Sequence, residues 1–118
     1  MKLVVIESPL AGNMERNKAY AQLCMLDCLM HGEAPYASHL LYTQCLDDTV
    51  PAERLLGMPA GFAWGDAAAL RAVYIDLGIS DGMRKGIALA KARDQAIDHR
   101  NLDDTALEKF RKEWPSDE

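Results

Sequence analysis

The segment "KLVVIES" at residues 2–8 is short, β-branched and almost continuously apolar, and it leads through "PLAGN" into a helix-forming stretch free of Gly and Pro. A run of that kind is the pattern of a strand covered on both faces, which means a parallel sheet under helices. A second run, "AVYIDLG" at residues 72–78, passes through a Ser-Asp-Gly turn into an alanine-rich helix. This repeated order of strand, turn and helix confines the chain to an α/β fold, a small three-layer sandwich with a parallel sheet of four to five strands.

The remaining elements fit that plan. Residues 14–31 form the first helix, with Asn13 as N-cap and Gly32 as the stop. Its apolar positions Ala19, Leu23, Leu26 and Met30 follow a 3-4 spacing, while Cys24, Met25, Cys28 and Leu29 widen the stripe beyond one sheet contact. That excess predicts a face for another subunit, hence a homodimer or higher homo-oligomer. A short strand is expected at 34–37 and a polar, aromatic loop at 38–48. Gly57, Pro59, Gly61 and Gly65 predict one interrupted helix or two short ones between residues 51 and 71. Residues 72–78 are the third strand, Ser80 caps the next helix, 95–101 is the fourth strand, and an amphipathic helix and a frayed tail at 115–118 close a single domain spanning 1–118.

Length and charge exclude several functions. At 118 residues the chain builds one core. Its net charge of −5 argues against a nucleic-acid partner, since phosphate-backbone binding needs clustered Lys and Arg. Only four apolar residues stand between Lys2 and Glu7, too few for a signal-peptide core or a membrane span, so a cytoplasmic protein without a membrane partner is expected. Cys24, Cys28 and Cys45 show no zinc spacing. No metal and no cofactor are expected.

In parallel sheets ligands collect at the carboxyl ends of the strands, where helices present free N–H groups. The "SDG" turn at Ser80, Asp81 and Gly82, with Met83 following, either receives an anion such as phosphate or only caps the helix while Gly82 clears the sheet. Ser8, Pro9, Gly12 and Asn13 form the matching turn after the first strand, and Arg16 stands one helical turn further on. In the loop at 38–48, His39, Tyr42, Gln44, Asp47 and Asp48 combine a base, an aromatic face, an amide and two carboxylates, a set suited to a nucleoside. The bland alternatives are a packing histidine and an Asp cap before Pro51. Phe62 and Trp64 either wall a pocket or serve core or subunit contacts. No dinucleotide or Walker fingerprint is present.

Taken together, "VVIESPLAGNMERNKAYA", "SHLLYTQCLDD", "ERLLGMPAG" and "GISDGMRKGIALA" resemble small proteins of bacteria and bacteriophages related to nucleoside 2-deoxyribosyltransferases. The resemblance covers roughly residues 2–100 and implies a Rossmann-like, flavodoxin-type sandwich, usually oligomeric, that accepts a nucleoside or nucleotide. It matches the turn from Glu7 to Gly12 with a sugar or phosphate turn, and the turn from Ser80 to Gly82 with an anion-receiving helix start. The relatives carry a catalytic glutamate where this chain has Gly86. A glycosyl transfer through a covalent intermediate needs that carboxylate. The resulting expectation is a nucleotide-binding protein without turnover, in a phage a sequestering agent for an NAD-derived or cyclic immune signal. The alternative is an N-glycosidase or deoxyribosyltransferase-like enzyme with a relocated carboxylate, Asp76, Asp81 or Glu7.

Overall fold

The computed structural model describes residues 1–116, with the side chain of His39 outside that description. Of the expected frayed tail, residues 117 and 118 lie outside the described residues. Four strands, β1 (Lys2–Glu7), β2 (Glu33–Tyr36), β3 (Leu70–Tyr74) and β4 (Ala96–Arg100), form one sheet in the order β2-β1-β3-β4, every pair parallel. The helices are α1 (Met14–Met30), α2 (Ser38–Leu41), α3 (Pro51–Ala67), α4 (Asp81–Ala92) and α5 (Asp104–Glu113), with a 3-10 turn at Tyr42–Gln44. This is the expected three-layer, Rossmann-like α/β sandwich.

The two central strands explain the continuous apolar runs, since Val4, Val5, Ile6 and all five residues of β3 are buried. Side chains alternate between the two faces. Val4, Ile6, Ala72 and Tyr74 meet Tyr20, Cys24 and Cys28 of α1, together with Leu102 and Phe110 near and on α5. Each large apolar side chain buried there stabilises the fold by about 1.5–3 kcal/mol. On the opposite face Glu7 and Arg71 lie under α4 and α3. Among the described residues no helix is long and apolar enough to cross a membrane.

Several expectations are corrected. The buried stripe of α1 is Asn17, Tyr20, Ala21, Cys24 and Cys28, not the phase through Leu26 and Met30, which are 52% and 78% exposed. Cys24 and Cys28 are therefore core residues and contribute nothing to an outer face. The segment after Pro51 is one helix through Ala67. Gly57, Gly61 and Gly65 do not interrupt it because they share one face and let it approach its neighbours: a Cβ would stand 3.1 Å from Leu46, 3.5 Å from the Tyr36 hydroxyl and 3.2 Å from Arg71 respectively. Pro59 lies on the exposed side of the helix.

The third strand begins two residues before the expected start and ends at Tyr74. Arg71 reads as the polar end of a helix in the sequence, yet it is 5% exposed inside β3. Beyond Tyr74 the chain turns, with Gly78 N–H donating to the Ile75 carbonyl at 2.9 Å and Gly78 at φ +86°. β2 starts and ends one residue earlier than expected. The loop at 38–48 contains α2 and the 3-10 turn.

Candidate functional site

Strand order reverses between β1 and β3: the chain leaves β1 toward one edge of the sheet and β3 toward the other. Ligands of open α/β sheets bind at such a switch point, outside the carboxyl ends of the strands. The segments after β1, β2 and β3 all open on this edge, which brings three sequence-predicted clusters to one side of the sheet. A cleft of about 310 Å³ lies on this edge between the start of α1 and the segment after β2, lined by Leu10, Met14, Lys18, Leu46 and Asp48 among others and by no residue after β3. A larger cavity of about 640 Å³ lies at the opposite edge, between the ends of α3 and α4 around Asp66, Arg93 and Gln95. The candidate site is placed by strand ends and helix starts, and the larger cavity lacks both.

In the first turn Ser8 and Pro9 are buried, while Gly12 and Asn13 are exposed. Gly12 adopts φ +100°, a conformation that favours glycine. Asn13 caps α1 by accepting from Arg16 N–H at 3.1 Å. The Arg16 guanidinium donates to Asn17 Oδ1 through Nε and Nη2 at 3.2 and 3.0 Å. Asn17, fully buried, donates through Nδ2 to the carbonyls of Leu10 and Ala11 at 2.9 and 3.0 Å, so it fixes the shape of the turn. Sequence reasoning missed Asn17. The available signal was a polar residue three positions before Tyr20 on the inward face of α1.

The second turn starts α4. Ser80 Oγ accepts from Met83 N–H at 3.2 Å, and Ser80 N–H donates to Met83 Sδ at 3.4 Å, with Met83 buried. Asp81 is exposed and pairs with Arg84 at 3.2 Å. A Cβ on Gly82 would meet nothing closer than Ser80 Oγ at 4.0 Å. Clearance from the sheet therefore does not account for this glycine, and the helix start is sterically open. Asp76 is engaged on the other face: its Oδ2 accepts from the Tyr20 hydroxyl at 2.7 Å and from Leu102 N–H at 3.0 Å, tying α1 to the approach to α5.

Glu7 ends β1, and its carboxyl fills the space that a side chain at position 86 would take. A Cβ on Gly86 would lie 2.7 Å from Glu7 Oε1 and closer still to Oε2 and Cδ. Arg71 Nη1 donates to Glu7 Oε2, Arg71 Nε donates to Gln95 Oε1 at 2.9 Å, and Gln95 Nε2 donates to the carbonyls of Gly65 and Ala68 at 2.9 Å each. Side-chain exposure is 6% for Arg71 and 16% for Glu7. Burial raises the Glu7 carboxyl above the ordinary carboxylate value, and the charge and hydrogen bond of Arg71 oppose that rise. The helix-breaking residue on α4 thus has a reason: it makes room for a carboxylate delivered from the sheet.

In the segment after β2, Tyr42 accepts from Trp64 Nε1 at 3.0 Å and Gln44, exposed, donates to the Leu40 carbonyl at 3.2 Å. His39 lies in α2, and its side chain is outside the description. Asp47 accepts from Thr49 N–H and Oγ1 at 2.9 and 2.6 Å, bonds that hold its carboxyl below the usual range, while Val50 precedes α3 without a side-chain cap. Trp64, half exposed, stacks on Tyr36 with centroids 5.6 Å apart, and Phe62 is equally exposed. The Tyr36 hydroxyl is buried with no hydrogen-bond partner among the described residues, and burial, with Tyr42 adding, pushes it up to about 12. Among the described residues no group of His, Cys, Asp and Glu could hold a metal ion.

Fold and edge together define a small parallel α/β protein whose strand order reverses between β1 and β3. The chain belongs to the family described as a domain of unknown function, DUF7768, whose profile matches residues 2–100. The match takes in the whole sheet and α1 to α4 and stops before α5. No curated protein matches the chain.

Proposed function

We propose that the protein binds a nucleoside or nucleotide across the β1/β3 switch point and holds it intact. The observation that carries this reading is the sterically open start of α4 at Ser80, Asp81 and Gly82, on the same carboxyl edge of the sheet as the exposed Gly12 and Asn13 at the start of α1. A phosphate there meets backbone amides and the positive ends of two helix dipoles. Tyr42 and Gln44, on the segment after β2, supply an aromatic face and an amide for a base. Retention rather than turnover follows from the state of Glu7, which is mostly buried and engaged by Arg71. In a phage, a protein of this kind would sequester an NAD-derived or cyclic nucleotide signal, a role that rests on the resemblance to nucleoside 2-deoxyribosyltransferase relatives.

The contact between Glu7 and Gly86 favours a second reading, an N-glycosidase or deoxyribosyltransferase-like enzyme with its carboxylate moved from α4 to β1. In that case a Glu7 oxygen attacks the anomeric carbon, the bond to the base breaks, the base leaves with a proton from solvent, and water then releases the sugar. Asp76 is less suited, since its Oδ2 already accepts two hydrogen bonds.

The deciding experiment incubates the protein with a panel of nucleosides, NAD-derived nucleotides and cyclic nucleotides, filters it, releases bound material by heat, and reads both fractions by mass. A compound depleted from the filtrate and recovered intact supports the binding reading. Free base with ribose or ribose phosphate, abolished by Glu7→Gln and kept by Asp81→Asn, supports the enzyme. Neither depletion nor cleavage across the panel rejects both.

A further inference from the structure

α3 turns its apolar stripe away from its own sheet. Its glycine face, Gly57, Gly61 and Gly65, points inward, and Gly65 is the helix's one buried residue. Leu55 and Leu56 are 71% and 69% exposed, Phe62 is 49% exposed, and Pro59 and Ala63 are exposed beside them. Positions 52, 55, 56, 59, 62, 63 and 66 repeat at 3-4 spacing and lie along one side of a helix. This is the arrangement that an amphipathic helix normally buries.

We infer that α3 is a dimerisation face and that its occupant is α3 of a second copy, packed antiparallel about a two-fold axis at Pro59. The stripe is symmetric about that residue. Under the two-fold, Leu55 of each copy meets Ala63 of the other, Leu56 meets Phe62, and Pro59 meets its counterpart, so large side chains face small or flat ones. Isologous pairing of this kind requires a self-complementary surface. At the ends of the stripe Asp66 is already paired with Arg93 of its own chain, so it brings no uncompensated charge to the face. The exposed stripe, with Met58 on its flank at 43% exposure, presents on the order of 500 Å² of apolar surface, near the top of the 300–600 Å² of the largest patch on an ordinary monomer. It also supplies the apolar centre of an interface that takes about 800 Å² from each partner. α1 offers Leu26, Leu29 and Met30 with no such symmetry.

Sedimentation equilibrium on the full chain between about 1 and 100 μM, a range around the affinities of weak to ordinary dimers, tests this. The expected result is a mass of twice 13.1 kDa that falls to 13.1 kDa in Phe62→Glu and in Leu56→Glu and stays doubled in Leu26→Glu. Both α3 substitutions fall on exposed positions, so circular dichroism should be unchanged. A Pro59→Cys substitution in a Cys45→Ser background should form a disulfide-linked dimer under mild oxidation. A monomer at every concentration, a dimer dissolved by Leu26→Glu but not by Phe62→Glu, or α3-dependent binding to lipid vesicles by a monomeric protein would each overturn the proposal.

Discussion

The Glu7 carboxyl and Gly86 share one space: the last side chain of β1 occupies the volume that any side chain on the second turn of α4 would need. Glycine inside a helix costs about 1 kcal/mol relative to alanine. Here that cost is tied to a buried ion pair, since a displaced carboxylate would leave Arg71 without its charged partner. The pair therefore decides both the local sequence of α4 and the chemistry on the α3/α4 face of the sheet.

Removing the charge of Glu7 exposes the linkage. Glu7→Gln leaves Arg71 without a charged partner but also removes the cost of burying the carboxylate, so urea unfolding at neutral pH should show only a small loss. The folded carboxyl is raised above 4.5 by burial, so the folded state binds the proton more tightly than the unfolded chain does. Its contribution is fully present below 4.5 and is lost as pH rises through the folded value. Wild type should therefore lose stability relative to Glu7→Gln as pH rises through that window. A pH-independent difference would contradict the assignment.

Asn17 should behave as the keystone of the β1–α1 turn. Asn17→Ala removes the donor that serves the Leu10 and Ala11 carbonyls. A loss of about 2 kcal/mol is expected from leaving such groups unsatisfied, together with weaker retention of whichever nucleotide the panel identifies. Unchanged stability would mean that the turn holds its shape without the amide.

Asp76 is predicted to be structural. Asp76→Ala strands the Tyr20 hydroxyl and Leu102 N–H and should lower stability by about 2–3 kcal/mol. Asp76→Asn, which keeps an acceptor oxygen at the same place, should lose less than half of that and retain ligand handling. Loss of ligand handling in a stable Asp76→Asn protein would return Asp76 to the site.

Much of this arrangement was legible in the chain because local rules agree with the fold. The β-branched run at β1, the apolar run leading through β3, Asn13 and Ser80 as caps, and Gly32 as a stop each follow from short-range sterics and hydrogen bonding. What escaped depends on distant partners. Arg71 looked like a helix end because its partners Glu7 and Gln95 lie 64 and 24 residues away. The glycines of α3 looked like breaks because their neighbours, Leu46, Tyr36 and Arg71, come from other elements. Gly86 looked like an absence until the sheet supplied the group that fills it.

The most direct test of the relationship between Glu7 and Gly86 is a double-mutant cycle by chemical denaturation. Alone, Gly86→Ala should destabilise the protein by about 1–2 kcal/mol, the clash with the carboxyl outweighing the helix-propensity gain. In a Glu7→Ala background the same substitution should stabilise by about 1 kcal/mol, because the space is empty and only the propensity gain remains. The predicted result is this reversal of sign. An equal stabilisation in both backgrounds would contradict the account, since Gly86 would then owe nothing to Glu7.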